Sequence, residues 1–131
     1  MQPEQCPCHS AKIFSKCCQP FLSTAANPRT VTQLMRSRYS AYALGGYGDY
    51  LFSTWHPASR GALQPKDLEL RTVNWTKLEV LRAAQSGNAG SVEFIAHFAQ
   101  EDGSAGVHHE LSTFVREKGL WLYHQGHEIE E

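Results

Sequence analysis

The sequence has no cysteine after residue 18, no long apolar run and no excess of basic residues. A membrane-spanning helix needs about 20 consecutive apolar residues, and neither the body of the chain nor its N-terminus contains such a run. The 12 basic and 13 acidic residues give a net charge of −1, whereas proteins that bind duplex nucleic acid usually carry a basic face. We therefore expect a cytoplasmic protein without a membrane span, and we do not expect nucleic-acid binding.

The composition is that of a folded protein, because 41% of the 131 residues are hydrophobic and only 19% are charged. This length suffices for one domain with its own core and a small additional segment. All cysteines lie within residues 1–22, and residues 23–27 have the composition of a short linker. The sequence therefore predicts a cysteine knuckle at residues 1–22 and one folded domain at residues 23–131.

Four cysteines form two pairs: Cys6 and Cys8 are separated by one residue, Cys17 and Cys18 are adjacent, and eight residues lie between the pairs. Cysteines that cross-link a domain would be spread along it, and cytosolic thiols stay reduced, so a metal site is the better interpretation. Four thiolates suit tetrahedral zinc, and iron suits the same shell. A shell closed by four cysteines has no open position for a substrate, which indicates a structural or partner-binding site.

Three alternatives to this ligand set stay open. Two short-range disulfides or a redox relay would also use paired cysteines, but adjacent cysteines form strained bridges and short loops gain little from cross-linking. His9 is an alternative ligand, ranked below the four thiols. Lys12 and Lys16 are expected to offset the thiolate charge, and Ile13 and Phe14 to cover the knuckle or to contact a partner.

Beyond the cysteines, the hydrophobic pattern first follows a helical period. Asn27 is predicted to cap a helix that has Pro28 at its first position and extends to residue 44, ahead of two glycines. A second helix is predicted over residues 47–55, with Pro57 ending it, and a short third helix near Pro65.

From residue 78 onward the hydrophobic period changes to two, which is typical of half-buried strands. Turn-forming pairs separate the alternating segments: Gly87-Asn88, Asp102-Gly103 and Lys118-Gly119. Helices followed by an antiparallel meander of about four strands predict an α+β fold, in which a curved sheet wraps around the helices and leaves a pocket.

The cysteine spacing resembles the SEC-C motif, which is named for the C-terminal tail of the export ATPase SecA. This resemblance implies a zinc-binding module that docks onto a protein such as the chaperone SecB. The usual motif has glycine after the second cysteine and again two residues later, where this chain has His9 and Ala11. We therefore expect a somewhat different loop geometry.

The rest of the chain resembles the YchJ family of bacterial proteins over nearly its full length. The matching segments are residues 34–42 (LMRSRYSAY), 50–57, 109–114 and 119–123. The resemblance implies a SEC-C module followed by a nuclear transport factor 2-like (cystatin-like) cone, in agreement with the order of helices and strands. It does not supply a reaction.

Polar and aromatic residues around the predicted pocket provide the remaining candidates, and the strand alternation predicts that Glu110, Ser112 and Phe114 share one face while His109 lies on the other. The candidates are Arg36, Arg38, Tyr39, Trp55, His56, His109, Glu110, Ser112, Phe114 and Trp121. We expect Glu110 to pair with Arg36 or Arg38 and tie helix to sheet, or alternatively to form an acid/base pair with His56. The histidines at positions 97, 108, 124 and 127 are expected on the surface, and Trp75 and Tyr123 in the core or pocket wall.

These observations favour a metal-binding accessory protein whose knuckle recruits a partner, by resemblance SecB or other export or ribosome-associated machinery. The alternatives are a small-molecule-binding cone or an acid/base enzyme that uses His56, His109 and Glu110. In a third interpretation zinc only stabilises the N-terminus. A homodimer formed through the open sheet face is compatible with all three.

Overall fold

A computed structural model of the chain describes residues 5–69 and 73–129. Short helices dominate the first half, and they are α1 (Gln19–Leu22), α2 (Val31–Leu44), α3 (Gly48–Ser53), α4 (Pro57–Arg60) and two 3-10 turns (Phe14–Lys16, Pro65–Leu68). Four strands follow, and they are β1 (Asn74–Ser86), β2 (Ala89–Ala99), β3 (Ala105–Glu117) and β4 (Leu120–Glu128). No described helix is long and apolar enough to cross a membrane.

The sequence had predicted that the long helix α2 begins at Pro28. The helix begins at Val31 instead. The Thr30 hydroxyl accepts a hydrogen bond from the Gln33 backbone N–H at 3.1 Å, so Thr30 is the N-cap in place of Asn27. The helix ends as predicted at Gly45, whose φ of 75° lies in the left-handed region that glycine tolerates.

Pro57 begins a further short helix, which the sequence analysis did not predict. Helix α3 stops at Ser53, and Pro57 takes the first position of α4, where a missing backbone N–H costs nothing. His56 caps α4, because its Nδ1 accepts a hydrogen bond from the Ala58 backbone N–H at 3.0 Å. The third predicted helix is present as the 3-10 turn Pro65–Leu68.

The strands form one antiparallel meander in the order β1-β2-β3-β4. The predicted alternation holds, since Val92, Phe94 and Ala96 of β2 are buried while the residues between them are partly exposed. Register shifts in β1 and between β3 and β4 bend the sheet, as extra residues in one strand do. Helix α2 contacts β1, β2 and β4 on the concave face. The predicted α+β fold is confirmed.

The cysteine segment belongs to the same core as the sheet. Cys6, Cys8 and Cys18 are at most 4% exposed and join the cluster of buried residues that includes Leu34 of α2 and Phe114 of β3. Residues 5–22 therefore pack against the folded body, and a domain boundary at residue 22 stays a prediction.

Candidate metal centre and ligand cavity

The two cysteine pairs meet because the connecting loop folds back on itself. Gln5 forms a β-bridge with Ile13, and the Cys6 backbone N–H donates to the Lys12 carbonyl at 2.8 Å. The 3-10 turn Phe14–Lys16 then reverses the chain, so that Cys17 returns to the first pair. Local backbone hydrogen bonds thus bring together all four sulfur atoms.

The four sulfur atoms all lie within 4.8 Å of one another. Sγ of Cys17 is 3.6 Å from Sγ of Cys8 and 3.9 Å from Sγ of Cys18. A tetrahedral ion with metal–sulfur bonds of about 2.3 Å requires sulfur–sulfur distances of about 3.8 Å, so the spacing fits one zinc ion. His9 is exposed and does not belong to this group. The four cysteines therefore form a cluster that could hold one metal ion.

The electrostatics of the cluster also favour a cation. Hydrogen bonds from the thiols of Cys18 and Cys6 lower the pKa of Cys8. Hydrogen bonds to Cys6 and Cys8, together with burial, raise the pKa of Cys18, and burial raises the pKa of Cys17. Neighbouring thiols therefore resist joint ionisation, and a divalent ion that binds all four sulfur atoms removes this conflict.

Side chains of α2 contact the cluster. The Arg36 guanidinium donates from Nη1 to the Cys8 carbonyl at 2.8 Å and lies 3.8 Å from Cys8 Sγ. The Ser40 hydroxyl is 3.6 Å from Cys6 Sγ. Lys12 and Lys16, expected to offset the thiolate charge, are exposed. Sequence reasoning missed the role of Arg36, because only the folded chain brings α2 to the knuckle.

Two residues of the knuckle loop have an unusual backbone. His9 has a φ of 62° and Ala11 a φ of 70°, both in the left-handed region that favours glycine. These are the two positions at which the SEC-C pattern has glycine. The loop therefore keeps the backbone conformation that glycine favours, although neither residue is glycine.

A cavity of about 820 Å³ opens between the helices and the concave face of the sheet. Its apolar walls come from α2, β1 and β2 and include Met35, Tyr42, Trp75, Phe94, Ala96 and Phe98. Half of the ten candidates from the sequence line it, namely Arg38, Tyr39, Trp55, Glu110 and Ser112.

The other five candidates lie elsewhere. Arg36 contacts the knuckle, and Phe114 and Trp121 are buried in the core at 1% and 3% exposure. His56 pairs with Glu117, and His109 Nε2 lies 2.8 Å from Glu93 Oε2 on the outer face of the sheet. The acid/base set of His56, His109 and Glu110 is therefore not assembled.

Glu110 contacts His108, which the sequence analysis had assigned to the surface. Its Oε1 lies 2.8 Å from His108 Nε2, and its other carboxylate oxygen accepts a hydrogen bond from the Ser112 hydroxyl. The predicted pairing with Arg36 or Arg38 is wrong, because both guanidinium groups donate elsewhere. His108, expected on the surface, is half-buried and lines the cavity. The alternation along β3 places it on the same face as Glu110 and was the signal that could have identified it.

Gly126 makes room for the Glu110 carboxylate. A Cβ atom at this position would lie 2.5 Å from both Glu110 Oε2 and the Tyr123 hydroxyl oxygen. The register shift opposite residues Thr113 and Phe114 lets Tyr123 and Gly126 approach the same carboxylate from one strand. Burial raises the pKa of Tyr123 to about 12, with the Glu110 charge as the second cause.

Arg38 is 4% exposed and lies at the helix side of the cavity. Its Nη1 donates to the Leu51 carbonyl at 2.8 Å and to the Thr54 hydroxyl at 2.7 Å. The guanidinium carbon lies 5.3 Å from the ring centroid of Trp55 and 4.8 Å from that of Tyr123, within cation–π range. Burial lowers the pKa of Arg38, but a guanidinium keeps its proton in proteins.

Known proteins resemble both the sequence and the fold of this chain. The family model described as YchJ, middle NTF2-like domain, matches residues 30–126. A UPF0225 protein from Sodalis glossinidius is 42% identical, with 95% of this chain and 83% of the relative covered. A UPF0225 protein from Chromobacterium violaceum is also 42% identical, with 92% of this chain and 90% of that relative covered.

A solved structure extends the likeness to the knuckle. The solution structure of a SEC-C motif containing protein from Rhodopseudomonas palustris superposes with a TM-score of 0.85 and 34% identity, covering 95% of this chain and 98% of that chain. The metal cluster, the curved sheet and these matches agree with the family suggested by the sequence. The chain belongs to the YchJ family of UPF0225 proteins, as a metal-binding member with a SEC-C motif and an NTF2-like domain.

Proposed function

We propose that this protein binds a small amphipathic ligand in its cavity, and that a zinc ion in the knuckle stabilises helix α2, which forms one wall. The observation that carries this proposal is the cavity itself, at about 820 Å³ in a chain of 131 residues. Sites for small ligands typically measure about 300–1,000 Å³ and combine apolar walls with a few convergent polar groups. The apolar walls of this cavity include Trp75, Phe94 and Phe98. Arg38 and Glu110 are among its polar groups.

The position of the knuckle supports a stabilising role for the metal. Three of its four cysteines are buried in the common core, and Arg36 and Ser40 of α2 contact the cluster directly. Arg38 and Tyr39, which lie between Arg36 and Ser40 in the same helix, line the cavity. A metal that fixes the knuckle therefore also restrains one wall of the cavity.

Ligand binding is tested with N-phenyl-1-naphthylamine, a neutral apolar dye that becomes fluorescent in apolar surroundings. We expect saturable binding at one dye per chain. Ala96→Trp adds an indole ring to the face of β2 that lines the cavity and should weaken binding at least about tenfold, the equivalent of about 1.4 kcal/mol. The matched control is Ala89→Trp, at an exposed position outside the lining, which should bind like the original protein. No dye binding, or equal binding by both variants, would refute the proposal.

The partner-recruiting function predicted from the sequence is a second candidate, favoured by the exposed positions of Lys12 and Lys16 in the knuckle loop. Its test is titration calorimetry with purified SecB. The double variant Lys12→Glu/Lys16→Glu changes the loop surface without touching the buried cysteines. Binding that this variant loses would support recruitment by the knuckle, whereas absence of binding by the original protein would exclude SecB. A ribosome-associated partner and a homodimer stay predictions.

A further inference from the structure

Three residues of the cavity wall surround the carboxylate of Glu110. Its Oε1 lies 2.8 Å from His108 Nε2, and its Oε2 accepts a hydrogen bond from the Ser112 hydroxyl. The Tyr123 hydroxyl lies beside the same Oε2, since a Cβ atom at Gly126 would be 2.5 Å from both oxygens. Glu110 and the three residues around it all line the cavity. The wall therefore has one point at which several polar groups converge.

The Glu110 carboxylate has room for one more donor. A carboxylate offers about four lone-pair sites, and the donors around this one occupy three at most. The Glu110 side chain lines the cavity and is 16% exposed, so the remaining site is accessible. Its partner across the β2–β3 ladder is Phe94, which also lines the cavity. The open part of the carboxylate thus lies next to an apolar surface.

The charges near this point balance each other. The Arg38 guanidinium carbon lies 4.8 Å from the ring centroid of Tyr123, and the hydroxyl of the same ring lies beside the Glu110 carboxylate. A cationic ligand at Tyr123 would be repelled by Arg38, and an anionic ligand would be repelled by Glu110. A neutral ligand avoids both repulsions.

The acceptor and the wall together restrict the chemistry of a neutral ligand. A carboxylate accepts hydrogen bonds only, and those that it receives from a hydroxyl group are particularly short and strong. Trp75, Phe94 and Phe98 provide aromatic surface for an apolar ring. A phenol combines a hydroxyl donor with such a ring.

We infer that Glu110 is the polar anchor of the cavity and accepts a hydrogen bond from the hydroxyl group of a neutral phenol, whose aromatic body packs against the apolar wall. This inference rests on the proposed ligand-binding function and specifies the chemical class of the ligand.

The experiment compares 2-naphthol with 2-methoxynaphthalene, which share the same ring system, although only the first can donate a hydrogen bond. Both are uncharged at neutral pH. Displacement of N-phenyl-1-naphthylamine from the zinc-loaded full chain gives their affinities. We expect 2-naphthol to bind at least about tenfold more tightly, because hydrogen bonds to a charged group are stronger than those between neutral groups.

Three substitutions of the same kind locate the acceptor. Glu110→Gln keeps the shape of the side chain and removes its charge, so it should lower the 2-naphthol affinity about tenfold and leave the 2-methoxynaphthalene affinity unchanged. Glu128→Gln is the matched control, because this carboxylate is 72% exposed, lies 3.7 Å from His108 Nδ1 and does not line the cavity. Glu101→Gln changes another carboxylate of the lining, in the turn between β2 and β3. Neither of these two variants should change either affinity.

A cationic analogue tests the requirement for a neutral ligand. 2-Naphthylmethylamine carries a positive charge at neutral pH and should bind more weakly than 2-naphthol. If it bound as tightly as 2-naphthol or more tightly, the site would be one for organic cations and the inference would be overturned.

The possible outcomes separate this inference from the function on which it rests. Equal affinity for 2-naphthol and 2-methoxynaphthalene would overturn the phenol site and retain ligand binding. A loss of selectivity in Glu101→Gln in place of Glu110→Gln would also overturn it. Failure of the dye and of all three naphthalene compounds to bind would refute the proposed function, and the phenol site with it.

Discussion

The knuckle and the cavity both contain polar groups in apolar surroundings. The two regions differ in how these buried polar groups are paired. In the knuckle, four identical groups from residues 6–18 converge within 4.8 Å, and one ion would satisfy them all. In the cavity, the polar groups come from α2, the segment after α3, and β3, and within the described residues the Tyr39 hydroxyl and the Trp55 indole nitrogen have no hydrogen-bond partner. One ion would complete the knuckle, whereas the cavity has room for a separate molecule, as the proposed function requires.

The largest expected effect tests whether the knuckle stabilises the whole fold. Cys18→Ser removes a ligand that is 1% exposed and should abolish stoichiometric metal binding. Because the knuckle shares its core with α2 and the sheet, we expect the free energy of unfolding to fall by more than about 4 kcal/mol. Urea unfolding gives the free energy, and mass spectrometry of the native protein gives the bound ion and its identity as zinc or iron.

The control for this change is His9→Asn, which alters an exposed loop residue outside the metal cluster and tolerates the positive φ of this position. It should retain one ion per chain and nearly full stability. If Cys18→Ser lost the ion but unfolded at the same urea concentration as the original protein, the knuckle would be an appendage and not a support for the cavity.

An intermediate effect concerns the body of the protein at alkaline pH. Burial is the main cause that raises the pKa of Tyr39, Tyr50 and Tyr123 to about 12. An unfolded tyrosine has a pKa of about 10, so the folded state favours the neutral form and is fully stabilised below that pH. Stability should then fall between about pH 10 and pH 12, by up to about 1.4 kcal/mol per pH unit for each tyrosine.

Urea unfolding at intervals from pH 8 to pH 11.5 measures this loss. Tyr50→Phe should be less stable at pH 8, because the hydrogen bond to Ser37 is lost, and should show a shallower decline above pH 10. A decline of the same slope in the variant would mean that ionisation of Tyr50 does not contribute.

The same contrast explains what could be predicted from the sequence. The clustering of the four cysteines could be predicted, because their spacing is local and a hairpin-like loop brings the two pairs together. The strands and turns also followed from local alternation and from the glycines at the hairpins. The face of β3 that carries Glu110 and Ser112 was correct for the same reason.

The partners of side chains could not be predicted, because they depend on distances between elements. Arg36 and Arg38 are two residues apart on one helix, yet one contacts the knuckle and the other the cavity. His56 was expected in the pocket, but it caps α4 and pairs with Glu117. Sequence patterns specify which face a residue occupies within its own element, and only the packing of elements decides what that face meets.

The smallest expected effect concerns backbone strain in the knuckle loop. Ala11 has a φ of 70°, in a region where an L-residue with a Cβ is disfavoured by about 1–2 kcal/mol. Ala11→Gly relieves this strain but increases the entropy of the unfolded chain, so we expect a net gain of about 0.5–1 kcal/mol. The matched control is Ala26→Gly, at an exposed position without positive φ, which should gain nothing or lose slightly. Urea unfolding of the metal-loaded proteins measures both changes. If the two variants shifted stability equally, the left-handed backbone of the loop would store no strain, and the absence of glycine at this position would carry no energetic cost.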